Sequence, residues 1–434
     1  MSKAVWYPLS TPEEDKIKID RAEGIHLFDK RQKEYIDANS GLWNVPLGYS
    51  NEAIKKALYT QVEKFSYVNP CECESEASEE LGNLLKGLLH EDIDKIIYAC
   101  SGSEAIEIAI KLIRKYSDLK RKSNANGIAV LQHSYHGSYY GSMSCSNYDG
   151  TEREGYGPLL SGIYELKLPF EKDYIKTSHS EDWKINQEKE LELELENLKG
   201  KISGIIFEPI LGSAGVIRLP KWYIDKIDEF ARENDVIIVC DEIATGFCRT
   251  GSMFAYEEYG IKPDIITMSK GINNGTLPLA AIAVGRKITK EFSDKFLFHL
   301  STQNANALCC ATAQATIKEL IDGDYVNTVK EKSKFFKELF NDEIGNEFSQ
   351  VYDLRSEGMM FAVELRDKEG NETLPFYDLI KLVELIKKNG VISEWSCIDG
   401  LSTCLVMLLP YVITDVEMYE VIKRIKKSLL RIIN

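Results

Sequence analysis

The chain has 434 residues, 44% hydrophobic and 28% charged, without Pro/Gly-rich or single-residue tracts. That composition excludes a largely disordered or fibrous protein and suits one large α/β domain with a smaller companion. With 68 acidic against 53 basic residues the formal charge is -15, which argues against nucleic acid or an anionic membrane as the main partner.

Met1 to Ser10 lack a basic stretch followed by an apolar one, and no run reaches the roughly 18 apolar residues of a membrane span, so a cytoplasmic protein is expected. The 10 cysteines form no disulfide framework: Cys309 and Cys310 are adjacent, and Cys71 and Cys73 lack a second Cys/His pair at zinc spacing. Reduced thiols and no metal site are expected.

In chain order, the first 50 or so residues hold short strands, including Gly24 to Phe28, that cannot form a core alone and should dock onto the C-terminal part. Short apolar runs at 95–99, 127–132, 202–207, 236–240, 264–268 and 279–285 then alternate with longer helical patterns. Their Ile, Val and Ala content suits strands buried on both faces, and the alternation predicts a mostly parallel sheet flanked by helices. The acid-dense run from Glu188 to Gly200, with Leu191, Leu195 and Leu198, reads as a solvated amphipathic helix rather than an interaction tail. Beyond about residue 315 the pattern changes to charged helices near 325–341, 376–389 and 415–433 around short strands near 350–354, 359–365 and 404–408. The expected division is a large domain over 55–315 and a smaller α+β domain made from 1–54 with 316–434.

Three of these elements carry chemistry-bearing residues. The strand ending at Ala99 runs into Ser101-Gly102-Ser103-Glu104-Ala105 and then a helix with Ile106, Ile110 and Ile113 on one face. Backbone N–H groups at such a start form an anion cup, although Ser103 also reads as a simple N-terminal cap. The spacing is not that of a nucleotide P-loop. The run Ile237 to Cys240 ends in Asp241 and Glu242, either a solvated strand exit or a carboxylate placed to pair with a heterocyclic cation. Asp264 to Met268 leads into Ser269-Lys270-Gly271. A lysine there is ordinarily a surface residue, but in a partly apolar pocket it loses its proton readily and forms an imine with a carbonyl.

Taken together with Tyr135-His136-Gly137, Phe207-Glu208-Pro209-Ile210, Asp241 to Phe247 with Arg249-Thr250-Gly251, and Asn274-Gly275 with Pro278-Leu279, these stretches resemble class III aminotransferases of the pyridoxal-phosphate fold type I superfamily, in its omega-transaminase-like branch. The resemblance spans nearly the whole chain. It implies a fold type I α/β architecture and transfer of an amino group from an amine or amino-acid donor to a ketone or aldehyde acceptor. Lys270 would form the Schiff base with pyridoxal phosphate and move the proton, and Asp241 would pair with the pyridinium nitrogen. Gly102 and Ser103 would hold the phosphate, Ile243 and Tyr135 would flank the ring, and Glu208 would support it. Thr302 matches a threonine that reaches the cofactor of the other subunit, which implies a homodimer. Decarboxylation, racemisation or an aminomutase shift would use the same shell, while retained Lys270 and Asp241 argue against a scaffold that has lost its chemistry.

Trp43 matches the aromatic of the substrate pocket, or is an ordinary core tryptophan. Departures concern the substrate carboxylate: the omega-branch arginine falls at Glu394, beside Trp395, and the ornithine-branch arginine at Val406. Either the acceptor is uncharged or cationic, or another arginine, Arg249, Arg355 or Arg366, binds the carboxylate. Cys248 replaces a usual glycine, Arg355-Ser356-Glu357-Gly358 departs from the usual arginine-glycine pair, and 303–307 lacks the usual glycine and proline.

Overall fold

Strand runs of Ile, Val and Ala place apolar side chains alternately on both sides of one sheet, so both sides must be covered. The structure, a computed structural model, describes residues 3–122, 125–169, 181–367, 370, 372–398 and 401–432. Its central sheet comprises β1 (Ile93–Ala99), β2 (Gly127–Leu131), β3 (Ile163–Leu166), β4 (Ile202–Phe207), β5 (Ile237–Asp241), β6 (Ile265–Met268) and β7 (Ala280–Gly285). The order is β1-β7-β6-β5-β4-β2-β3. β7 runs antiparallel to both neighbours, β1 and β6, and the other pairings are parallel.

Ile237 and Val239 join Ile106, Ile110 and Ile113 of helix Gly102–Leu119 on one side, while Ile238 and Cys240 join Tyr223, Ile224 and Ile227 of helix Lys221–Glu233 on the other. Each large aliphatic side chain so enclosed stabilises the fold by about 1.5–3 kcal/mol. The sheet is mixed α/β with one reversed strand, and β3 is the member the apolar pattern did not announce. Tyr164 and Glu165 leave it exposed at the sheet edge.

Two smaller sheets complete the framework. Val351–Glu357, Met360–Leu365, Ser402–Leu408 and Glu394–Ile398 form an antiparallel sheet in that order. The strands Ile19–Glu23, His26–Asp29 and Glu34–Asp37 form another, closed by Val391–Ile392, whose Val391 lies opposite Ile36. Helix Asp415–Ile432 ends the described chain; the last residue of the helix expected over 415–433 lies outside the described residues. No disulfide joins the cysteines among the described residues, and no described helix is long and apolar enough to cross a membrane.

Candidate active site

Because β1, β2, β4, β5 and β6 all point the same way, their carboxyl ends deliver residues to one edge of the sheet, where open α/β sheets bind ligands. Ser101–Ser103 follows β1, Tyr135 and His136 follow β2, Glu208 follows β4, Asp241 ends β5 and Lys270 follows β6.

At the end of β5 the strand period separates the paired carboxylates. Asp241 continues the Ile237–Val239 side and is buried, with His136 Nδ1 at 2.7 Å from Oδ2. Its Oδ1 accepts from Thr267 Oγ1 and from the backbone N of Ile243, each at 3.1 Å. Glu242 points to the opposite side, where it accepts from Tyr256 N at 2.7 Å and from the Thr245 hydroxyl. Burial pushes the Glu242 carboxyl up to about 7. Glu242 therefore anchors a turn, and Asp241 alone faces the edge.

The helix Gly102–Leu119 is capped by Ser101, whose extended backbone lets its Oγ accept from Glu104 N at 3.2 Å. This corrects the expectation that Ser103 caps the helix. Ser103 lies two residues further in, within the first turn, and its Oγ accepts from Ser138 N at 3.1 Å. The cup is tight. A Cβ on Gly102 would stand 2.9 Å from Ile243 Cδ1, and one on Gly137 would stand 2.5 Å from Ser103 Oγ. The missing Cβ thus lets the Ile243 side chain pack against Gly102, and lets the backbone at Gly137 approach Ser103.

Tyr135 is part-exposed, its N donating to Glu208 Oε1 at 2.9 Å. Burial raises the Glu208 carboxyl above the ordinary value, opposed by the field of His136. Lys270 sits in a tight turn with φ of 42°, a left-handed conformation that non-glycine residues adopt at a cost. The turn is tied to the N-terminal segment by Asn274, whose Nδ2 donates to Gly48 O and whose Oδ1 accepts from Leu47 N, both at 2.8 Å. Desolvation holds the Lys270 ammonium below the ordinary lysine value, against the opposing fields of Glu208, Asp241 and Glu394.

The Lys270 Nζ lies 4.2 Å from the centroid of the Trp43 ring. Trp43 is buried, and its Nε1 donates to Glu394 Oε2 at 2.8 Å, an oxygen that also accepts from Asn39 Nδ2 at 3.1 Å. Trp43, Glu394 and Lys270 thus stand together. Trp395 does not join them: the strand alternation turns it the other way, against Phe376 at 4.9 Å between rings. Thr302 is exposed, its carbonyl accepting from Tyr67 at 2.8 Å, with no hydrogen bond to the Ser101–Ser103 turn among the described residues.

The chain belongs to the class III aminotransferases. The profile of that family, aminotransferase class-III, matches residues 9–429. The adenosylmethionine-8-amino-7-oxononanoate aminotransferase of Methanocaldococcus jannaschii is 30% identical over 96% of this chain and 96% of its own length. The acetylornithine aminotransferase of Clostridium acetobutylicum is 30% identical over 84% and 87%. An (S)-enantioselective omega-transaminase of Thermomicrobium roseum has a solved structure that superposes with a TM-score of 0.91, covering 99% of this chain and 96% of that one at 27% identity. The aminotransferase is accordingly a pyridoxal-phosphate enzyme of fold type I.

Among the residues the sequence reading did not single out, His136 and Thr267 hold Asp241, Ser138 holds Ser103, and Asn39 holds Glu394. His136 stood in view inside Tyr135-His136-Gly137; a buried histidine beside a buried carboxylate required the fold to appear.

Proposed function

We propose that this aminotransferase carries out both half-reactions at the sheet edge with Lys270 as the reacting amine and proton carrier. What carries the reading is the convergence on one edge of Lys270 and Asp241, from the adjacent strands β6 and β5, with the Gly102 helix start that follows β1. The residues suit the cofactor: a glycine-led helix start packed tightly against Ile243, a buried carboxylate held by three hydrogen bonds, and a lysine whose ammonium is disfavoured by burial. When bound, pyridoxal phosphate supplies an electron-withdrawing ring that stabilises charge developing on the amine-bearing carbon.

The protein's own residues do the rest. Gly102 and Ser103 would offer backbone N–H groups to the phosphate, aided by the positive end of the helix. Asp241, oriented by His136, would pair with the ring nitrogen. Ile243 and Tyr135 would hold the ring between them, and Glu208 fixes the Tyr135 backbone. Lys270, whose ammonium burial disfavours, would take a proton from the substrate carbon at its Nζ and return it one atom away.

The same proposal includes a homodimer in which Thr302 reaches the cofactor of the second subunit, a cytoplasmic location and a biosynthetic role. It also includes the division into a body over 55–315 and a smaller domain from both chain ends, which the pairing of Ile36 with Val391 supports. Borohydride reduction of the holoprotein followed by peptide mass spectrometry tests the central point. The cofactor mass should be fixed on the Lys270 peptide and absent from Lys270→Ala. A label on another lysine would overturn the assignment.

A further inference from the structure

Between Lys270 and the small antiparallel sheet lies a surface whose charge pattern says what it binds. One indole ring separates the lysine from a carboxylate: the Lys270 nitrogen stands over the Trp43 face, and the Trp43 edge donates to Glu394. Both donors that fix Glu394, Trp43 Nε1 and Asn39 Nδ2, use Oε2. Among the described residues no hydrogen bond reaches Oε1, and no lysine, arginine or histidine forms an ion pair with Glu394.

The carboxylate is held in place by the turn beneath it. Asp37 accepts from Asn39 N at 2.9 Å, Gly41 N at 2.6 Å and Tyr49 OH at 2.7 Å, which locks the segment that carries Asn39 and Trp43. Behind the indole, a Cβ on Gly212 would stand 2.8 Å from Trp43 Cζ3, so the ring cannot recede. The residue opposite Glu394 in the sheet, Val406, is buried in the same apolar cluster as Trp43 and Met360. The wall is aromatic and aliphatic, with one preset negative charge.

The arginines that could have bound a substrate carboxylate are engaged elsewhere. Arg249 is buried and donates to Leu409 O at 2.8 Å while lying over the Tyr411 ring at 4.6 Å. Arg355 donates to Gly215 O at 2.6 Å and pairs with Glu364 at 3.0 Å. Arg366 lies over the Tyr352 ring at 3.9 Å.

We propose that Glu394 is the specificity-determining residue of this aminotransferase and that it receives the far ammonium of a substrate carrying two cationic groups, of the diamine class. The methylene chain of the substrate lies across the Trp43 face, its near nitrogen at Lys270 and its far nitrogen on Glu394 Oε1. Trp43 and Asn39 act as positioning residues for that carboxylate. A substrate with a carboxylate at the far end meets a like charge and is excluded. This rests on the amino-transfer reading above and concerns recognition alone.

Three amines of matched shape test it on the holoenzyme: 1,4-diaminobutane, 1-aminopentane and 5-aminopentanoate, which end in an ammonium, a methyl and a carboxylate. A charge-assisted hydrogen bond predicts a KM for the diamine roughly 10- to 100-fold below that of 1-aminopentane, with 5-aminopentanoate the poorest. In Glu394→Gln, whose amide oxygen still accepts from Trp43 and Asn39, the 10- to 100-fold gap between the diamine and 1-aminopentane KM values should close, whatever the change in kcat common to the two amines. Equal KM values for diamine and monoamine in the parent, or a diamine preference that survives Glu394→Gln, would overturn the assignment. Alanine and glutamate are run alongside. Transfer from these without any diamine preference defeats this inference alone, whereas no transfer from any donor defeats the amino-transfer reading itself.

Discussion

Replacing His136 by Phe should loosen the cofactor without touching any residue that contacts the phosphate. His136 and Asp241 are both buried, at 2% and 3% exposure, so water cannot take the place of the lost partner. Thr267 and Ile243 N hold Oδ1, so the carboxylate cannot swing to recover a donor for Oδ2. A hydrogen bond of 2.7 Å to an ionised acceptor contributes about 1.5–3 kcal/mol. Its loss leaves Oδ2 without a donor and the carboxylate less firmly placed against a ring cation, at a cost of roughly 10- to 150-fold in Kd. His136→Asn is the control, because its side-chain nitrogen falls where Nδ1 stands and keeps the bond. Titrating apoprotein with pyridoxal phosphate, followed by absorbance, should rank parent, Asn and Phe in order of falling affinity. A folded Phe variant that binds as tightly as the parent, or an Asn variant as weak as Phe, would refute the role given to His136.

Glu242 predicts a pH effect on stability. Its carboxyl is pushed up to about 7 by burial from an ordinary 4.5, so between those values the folded chain keeps a proton that the unfolded chain has lost. Unfolding free energy should fall as pH rises through that window and level off above it, by about 3 kcal/mol at most. Glu242→Gln should remove this part of the slope in urea unfolding at pH 5 and pH 8; identical slopes would count against it. Gly137→Ala combines a φ of 134° with a Cβ 2.5 Å from Ser103 Oγ and 2.9 Å from Ser103 Cα. Strain of about 1–3 kcal/mol should displace the Ser103 turn and weaken binding of pyridoxal phosphate more than that of pyridoxal, which lacks the phosphate. Equal losses for the two ligands would separate Gly137 from phosphate binding.

The strands that build the sheet were legible because two-sided burial writes a continuous apolar run, as in Ile202–Phe207 and Ile237–Cys240. β3 was not, because an edge strand with Tyr164 and Glu165 exposed carries no such run. The strand Glu394–Ile398 was missed for a related reason: Glu394, Trp395, Ser396 and Cys397 show no clean alternation, and pairing with Ser402–Leu408 supplies what propensity does not. Lys270, Asp241 and the glycine turn could be read from motif and chain order. The partners that orient them could not, since His136 meets Asp241 from 105 residues away and Asn39 meets Glu394 from 355. Contacts of that separation have no local signal.

The bond between Trp43 and Glu394 joins positions 351 residues apart, near opposite ends of the chain. The Asp241, Lys270 and Gly102 elements all emerge from the ribosome before Glu394 exists, so the cofactor pocket has its full set of residues while the selectivity wall is still half made. Trp43 must wait for the last strands to thread back beside Val391 and Ile36. Chemistry and selectivity are thereby laid down at different moments of synthesis and in different stretches of sequence. On the reading proposed above, changes at Trp43, Asn39 or Glu394 retune which amine is accepted and leave Gly102, Asp241 and Lys270 in place.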